Sequence, residues 1–192
     1  MNALLHLPEF FGVTVLAGLL VAACWHDVRS HRIPNLLVLS GMVAGVACQV
    51  LSASTGVSVA LSAAWVALTG IATGLAMLLP LYVVRSMGAG DVKLMAMVGS
   101  FLGPLQTVEA TLMALVAGGV LAVVVAAARG TLAAAAANVW TIARGACQPS
   151  RSVAAVGMPA SRSAGKLPYA LAIAAGTMIH ELLARGGHSL FA

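Results

Sequence analysis

Long stretches without a charged side chain dominate this sequence and leave few possible folds. Apolar segments of membrane-spanning length recur between residues 10 and 128, and another follows near the C-terminus. They are rich in Ala, Leu and Gly and show no alternation of apolar and polar residues, so they predict helices rather than the strands of a membrane barrel. Because 61% of the 192 residues are hydrophobic and only 8% are charged, we predict an all-α, polytopic membrane protein with one domain, residues 1–192.

Six transmembrane helices and one interfacial helix are expected. The predicted spans cover about residues 10–25, 34–51, 57–84, 92–102, 109–128 and 167–183. The fourth is shorter than a hydrocarbon core of roughly 30 Å requires. Residues 131–143 are apolar but short, and because Arg129 and Arg144 flank them, they predict an interfacial helix. A polar cytoplasmic linker is expected over about residues 144–166. The pairs Gly41/Gly45, Gly70/Gly74 and Gly99/Gly103 have the spacing that lets membrane helices pack closely.

The charges predict an orientation. In the six-span topology, nine of the ten Lys and Arg residues fall on one side and only Arg185 falls on the other. Basic loops face the cytoplasm, so both termini are predicted to lie outside. Glu9, Glu109 and Glu181 are predicted to lie outside as well, which leaves Asp27 and Asp91 as the only cytoplasmic carboxylates. Orientation and anionic lipid headgroups explain the basic excess, so no nucleic-acid partner is expected.

The segment Gly88-Ala89-Gly90-Asp91 points to chemistry. Gly88 and Gly90 would let the backbone unwind at positive φ and approach a substrate, and Asp91 falls where the next helix begins. Asp27 ends the first span at the same membrane depth. Two carboxyls that approach each other share one proton near neutral pH, and such a pair can hydrolyse a peptide. Because helix dipoles favour an anion at Asp91 and disfavour one at Asp27, we predict Asp27 as the resting acid and Asp91 as the resting base.

Other readings of the two aspartates remain open at this point. Each could form an ordinary ion pair, Asp27 with Arg29 or Arg32 and Asp91 with Lys93. The aspartates could also serve as the relay of a proton-coupled transporter, or the chain could be a non-catalytic scaffold of a secretion machine.

A metal site is the remaining alternative. His26 and His31 could ligate a metal together with Asp27, but a histidine in an interfacial loop is much more often unligated. No metal and no cofactor is therefore expected.

Three segments resemble the type IV prepilin peptidases, which are bacterial intramembrane aspartyl proteases of the GxGD type. They are residues 26–35 (HDVRSHRIPN), 88–94 (GAGDVKL) and 166–173 (KLPYALAI). The resemblance implies that Asp27 and Asp91 are catalytic at the cytoplasmic face of the inner membrane. It also implies that the substrate is a pilin with a short basic leader, cut after a glycine at the edge of one apolar helix.

The resemblance also suggests how this substrate is recognised. Gly88, Gly90 and Pro168 would lie along the substrate backbone, and Lys93 or Arg29 would pair with a glutamate that follows the cut. The oligomeric state stays open.

The sequence departs from the family pattern in two respects. Ala170 stands where many relatives have glycine, which questions the backbone flexibility near Pro168. The chain also starts almost at its first span and lacks the cysteine-containing cytoplasmic domain of the larger enzymes. It therefore resembles the short form that serves tight-adherence (Flp-type) pili, and N-methylation of the product is not expected.

Overall fold

The fold consists of helices. The computed structural model describes residues 7–30, 33–53, 56–84, 87–132 and 169–186. Within these ranges the chain forms six helices and no strand, which confirms the all-α prediction for this part of the protein. The helices are α1 (Leu7–Ser30), α2 (Asn35–Ser52), α3 (Val57–Val83), α4 (Ala89–Leu102), α5 (Pro104–Ala128) and α6 (Tyr169–Arg185).

Four of these helices are long and apolar enough to cross a membrane. They supply the candidate spans Phe11–Ser30, Asn35–Ser52, Val57–Val83 and Pro104–Ala128, so the chain is a multi-pass membrane protein. Helices α4 and α6 have 14 and 17 residues and are shorter than these four spans. The structure therefore supports four of the six predicted spans. Most of the predicted interfacial helix (131–143) and the whole linker (144–166) lie outside the described residues.

Several helix ends differ from those the sequence predicts, and two of them bear on the site. Helix α1 continues past Trp25 to Ser30, so Asp27 lies inside its last turns. Helices α4 and α5 are separated by Gly103 alone, whose φ of 79° is a conformation that glycine adopts at little cost. Pro104 then begins α5, where its missing N–H removes no helical hydrogen bond. Helix α4 therefore ends at Gly103 and α5 begins at the next residue.

Helix α4 forms the centre of the core. From Leu94 to Ser100 every residue is buried, and α4 packs against α1, α2, α3 and α6. Close approach depends on glycine, because a side chain at Gly70 or Gly99 would overlap the backbone of the other. Gly41 and Gly45 of α2 likewise leave room for Met97 and Ser100 of α4. The glycine spacing of the sequence is thus confirmed as a packing signal.

The chain divides into two compact units. One comprises Met1–Ala117 and Pro168–Ala192, and the other comprises Gly118–Leu167. In the first unit the C-terminal turns of α1 meet the N-terminus of α6 through the Asp27 side chain, and α4 begins close by. We call this the aspartate end. The C-terminus of α6 lies at the opposite end, where Arg185, Gly12, Gln49 and Gln106 line a common cavity.

Candidate active site

Asp27 lies between α1 and α6. Its Oδ2 atom accepts a hydrogen bond from the backbone N–H of Ala170 at 3.3 Å, in the first turn of α6, where backbone donors have no partner within the helix. The carbonyl oxygen of Ala170 in turn accepts a bond from Cys24 Sγ at 3.4 Å. Ala170 is helical and fully buried, so this position requires no glycine conformation. One residue of α6 therefore anchors the segment of α1 that carries Asp27.

Asp91 is the third residue of α4 and caps the start of that helix. Its Oδ2 accepts the backbone N–H of Gly88 at 3.2 Å. Gly88 has φ −78° and ψ 150°, and Gly90 lies within the helix. The prediction that these glycines unwind the chain at positive φ is therefore wrong. What glycine supplies here is space, because a Cβ on Gly88 would lie only 3.3 Å from Asp91 Oδ2.

The segments that contain the two aspartates touch each other. A Cβ on Gly90 would come within 3.5 Å of Ile33 Cδ1, and Lys93 Nζ donates to Asn35 Oδ1 at 3.2 Å. Both contacts join residues 26–35 to residues 88–94, which are two of the three segments that resemble the prepilin peptidases. Across the part of the chain that the structure describes, no ion pair involves Asp27 or Asp91, so the pairing of Asp91 with Lys93 is not observed. Arg32, an alternative partner of Asp27, lies outside that part.

The electrostatics of Asp91 reflect both its burial and its neighbours. The residue precedes the predicted fourth span and lies outside the four candidate spans. Burial raises the pKa of Asp91 to about 6, the Gly88 N–H lowers it, and the charge of Asp27 raises it further. A helix N-terminus alone would favour the anion, but burial outweighs it here. At pH 7 the carboxyl is still mostly ionised, so the assignment of Asp91 as resting base stays a prediction.

Comparison with known proteins identifies the family. The sequence matches the profile of the type IV leader peptidase family over residues 14–123, which is more than half of the chain and includes both aspartates. The chain belongs to the type IV leader peptidase family. No curated protein and no solved structure matches it. The family match ends before α6, so the contact of Ala170 with Asp27 is an observation from the structure of this leader peptidase alone.

The remaining predicted site residues of this leader peptidase have different positions. Arg29 and Lys93 are exposed at the aspartate end. Gly88 and Gly90 flank the start of α4, as described above. Pro168 lies outside the described residues. In the described ranges, no group of three or more His, Cys, Asp or Glu side chains is arranged to hold a metal, and His31 lies outside those ranges.

Sequence reasoning assigned no role to two residues that the structure brings to the site. Asn35 and Ala170 stand within the quoted segments, but Asn35 acts through a contact with Lys93 and Ala170 through its backbone N–H. A backbone donor has no side-chain signature. Only the position of Ala170 at the predicted start of a helix could have indicated a free N–H there.

Proposed function

We propose that this protein is an aspartic endopeptidase that removes the short basic leader from type IV prepilins of the Flp type. Cleavage occurs at the cytoplasmic membrane face, with Asp27 and Asp91 as the catalytic residues. One observation carries the proposal: the segments that hold Asp27 and Asp91 touch each other, because Gly90 lies against Ile33 and Lys93 Nζ donates to Asn35, and the charge of Asp27 contributes to the raised pKa of Asp91. Membership of the leader peptidase family supports the same reading.

The chemistry requires that the pair shares one proton. The ionised carboxyl takes a proton from a water molecule whose oxygen attacks the scissile carbonyl carbon. The protonated carboxyl donates to the carbonyl oxygen, so a neutral tetrahedral diol forms. The diol then collapses: the carboxylate that had protonated the carbonyl oxygen takes a proton back from one diol hydroxyl, the C–N bond breaks, and the carboxyl that had accepted the water proton gives it to the departing amine. The pair returns to a singly protonated state, and no metal or cofactor is needed.

Hydrogen bonds to the backbone support these roles. Ala170 N–H and Gly88 N–H each donate to one oxygen, Oδ2, of Asp27 and Asp91. In the described part of the chain the Oδ1 atoms have no such partner, so they remain for water and substrate. Helix termini therefore orient both carboxyls before the substrate arrives, which lowers the cost of reaching the reactive geometry.

The exposed cations provide a further contact with the substrate. Lys93 and Arg29 lie at the aspartate end and can pair with the glutamate that follows the cut in prepilins. If Lys93→Gln and Arg29→Gln variants both cleave at the normal rate, this contact does not exist.

Mass spectrometry of a co-expressed prepilin tests the function. The substrate is a chain with a short basic leader, a glycine at the cut and one apolar helix. Asp27→Asn and Asp91→Asn should each slow removal of the leader at least about 100-fold, because each removes one partner of the acid–base pair. Glu181→Gln is the control, since it changes a carboxyl at the opposite end of α6.

Two outcomes would contradict the proposal. If both asparagine variants cleave normally at normal membrane levels, the aspartates are not catalytic and a scaffold role gains support. If wild type leaves the prepilin intact but carries a solute coupled to protons, the transporter reading is correct.

A further inference from the structure

An apolar groove runs between α1 and α6 beside the proposed active site. It encloses about 470 Å³. Its lining includes Leu20, Val21 and Trp25 of α1 together with Leu171, Ala174 and Met178 of α6. Every residue of the lining is apolar except Cys24, whose thiol is bonded to the backbone of Ala170. No charged side chain lines the groove, so it suits a hydrocarbon-like occupant.

The groove is continuous with the site at Asp27. It includes Cys24 and Val28, which lie on either side of Asp27 along α1. Ala170 accepts the hydrogen bond of the Cys24 thiol through its carbonyl oxygen and donates its backbone N–H to Asp27. From Val28 the lining extends along α1 as far as Ala17. At 1.5 Å per residue this is about 16 Å, or roughly half of the hydrocarbon core.

We propose that this groove receives the N-terminal half of the apolar helix of the prepilin. The inference rests on the proposed function, because that function requires a substrate whose apolar helix begins just beyond the cut. The scissile peptide can reach Asp27 only if that helix lies along a surface that ends there. Ala17, Ala174 and Ala175 of the lining are small residues, which let a third helix approach α1 and α6 closely.

The exposure of the groove residues fits a membrane-facing docking surface. Val21 and Trp25 are 69% and 65% exposed, whereas Leu20 is 1% exposed. Val21 and Trp25 therefore form the rim of the groove, and Leu20 lies at its bottom. Trp25 stands at the end nearest Asp27, and tryptophan prefers the depth at which the hydrocarbon core meets the headgroups. A substrate helix seated in the groove would therefore begin at the level of the catalytic pair.

The other large cavity does not fit this occupant. It encloses about 820 Å³ at the opposite end of the unit, and its lining includes the polar groups of Gln49, Glu181 and Arg185. An apolar helix placed there would remove the charged Glu181 and Arg185 side chains from water, which costs free energy even though they form an ion pair with each other. A substrate there would also contact Gly12 and Leu16 of α1, which are three or more helical turns from Asp27.

The groove would also determine where the prepilin is cut. A helix whose apolar stretch begins at the rim near Trp25 places only the residues before that stretch at Asp27. Lengthening the prepilin between the cut and the apolar stretch should therefore move the original bond away from Asp27 and reduce cleavage there.

Filling the groove tests the docking site. Ala175→Trp places a large side chain in the groove, and Ala72→Trp places the same side chain at an exposed position of α3 outside both cavities. Two substrates are compared: the full prepilin, and a peptide that spans the cut but lacks the apolar helix. With the full prepilin, Ala175→Trp should raise KM at least tenfold relative to Ala72→Trp. With the peptide, the two variants should be equal.

These outcomes separate the inference from the function on which it rests. If wild type cleaves neither substrate, the proposed function fails. If wild type cleaves the prepilin and Ala175→Trp matches Ala72→Trp, the groove does not bind the helix. If Ala175→Trp loses the peptide and the prepilin equally, the substitution disturbs the site itself and the docking inference is overturned.

Cross-linking provides a second readout that does not depend on tolerance of the tryptophan. An Ala175→Cys, Asp91→Asn enzyme whose native cysteines, including Cys24 of the groove lining, are replaced by alanine is oxidised in membranes with a prepilin that carries one cysteine in the first half of its apolar helix. The Ala72→Cys control is made in the same background. A disulfide between position 175 and the prepilin is expected, and Ala72→Cys should form none. A disulfide between two copies of the enzyme, or no product because lipid fills the groove, would overturn the inference.

Discussion

The Asp91 carboxyl is subject to opposing effects. Burial is the largest, and it raises the pKa of Asp91 to about 6, while the hydrogen bond from Gly88 favours the anion. Unlike an ion-paired surface carboxylate, this group therefore destabilises the folded protein when it is charged. The cost is absent at low pH because the carboxyl is then protonated in both the folded and unfolded states. It develops between pH 4 and pH 6 and is complete above pH 6.

Asp91→Asn should therefore stabilise the protein in a pH-dependent manner. Asparagine keeps a carbonyl oxygen that can accept the Gly88 N–H but carries no charge. Because Asp91 is partly exposed to solvent, which screens its charge, we expect a gain in the free energy of unfolding of about 1 kcal/mol at pH 8. Little gain is expected at pH 4. Unfolding in detergent micelles at both pH values measures this difference, and an equal gain at both would contradict the burial argument.

The two glycines before Asp91 should respond differently to alanine. At Gly88 the new Cβ lies 3.3 Å from Asp91 Oδ2, so it should displace the carboxylate and lower kcat about tenfold. At Gly90 it meets only Ile33, at ordinary contact distances of 3.5–3.7 Å. Stability should then be unchanged or up to about 1 kcal/mol higher. If the substrate backbone passes Gly90, its alanine variant should raise KM while kcat is preserved.

Steady-state kinetics with a leader-containing prepilin separates the two effects. Normal kcat in Gly88→Ala would show that Asp91 tolerates the crowding. A normal KM in Gly90→Ala would show that the substrate backbone does not pass close to Gly90.

The two aspartates of this site could be predicted from the sequence, but their backbone contacts could not. Two aspartates in a chain with few acids could be singled out from the sequence, since ionisable groups near a bilayer are costly and usually have a function. The structural role of Gly88 and Gly90 could not be predicted, because a GxG pattern does not show whether glycine is needed for a positive φ or for space. The hydrogen bond from the Ala170 N–H to Asp27 could not be predicted either, because any residue other than proline at that position of the helix has the same backbone N–H.

In the part of the chain that the structure describes, α4 packs against α1, α2, α3 and α6, and this packing explains how so short an apolar helix can hold Asp91 in place. It packs directly against the backbone of α3, where Gly70 meets Gly99 and Gly74 meets Met95. Lipid supplies no hydrophobic driving force between helices, so this contact depends on close van der Waals packing. The first turn of α4, which holds Asp91, is therefore fixed by the turns that follow it.

Gly99→Ala should test this crossing. Its Cβ would overlap the carbonyl group of Gly70, and a backbone cannot move aside as a flexible side chain can. We expect a loss in the free energy of unfolding of about 3 kcal/mol, as for overpacked cores. The matched control is Gly18→Ala on α1, where no atom lies within 4 Å of the new Cβ. This control should be neutral or up to about 1 kcal/mol more stable. Equal unfolding of the two variants in detergent would refute the role of the crossing.

Helices α5 and α6 show a feature that the sequence did not predict. His180 Nδ1 lies 3.4 Å from Glu109 Oε2, and both side chains are buried. Near this contact, Gly176 packs against the backbone of Ala114. Glu109 was predicted to lie in the outer region, but no spacing rule connects it to a histidine so far along the chain. The pairing depends on which helices become neighbours, which apolar periodicity does not reveal.

At the scale of the whole molecule, apolar length was the most informative signal. It predicted helices throughout and located the four helices that can span a membrane. It was weakest for α4 and α6, whose lengths fall below a full crossing. Helix arrangement was beyond the sequence, because Ala-rich and Leu-rich faces all pack equally well until specific glycines are brought together.

The orientation of the molecule is the last prediction, and the proposed function depends on it. Arg29 and Lys93 mark the aspartate end and Arg185 marks the opposite end, so the positive-inside rule places the aspartate end in the cytoplasm. Ala89→Cys should then react with a membrane-impermeant maleimide only in inside-out vesicles. Gly186→Cys should react only in right-side-out vesicles. Wild type, which keeps its native cysteines, gives the background labelling. The reverse pattern would place the aspartates outside, where the cytoplasmic leader of a prepilin cannot reach them.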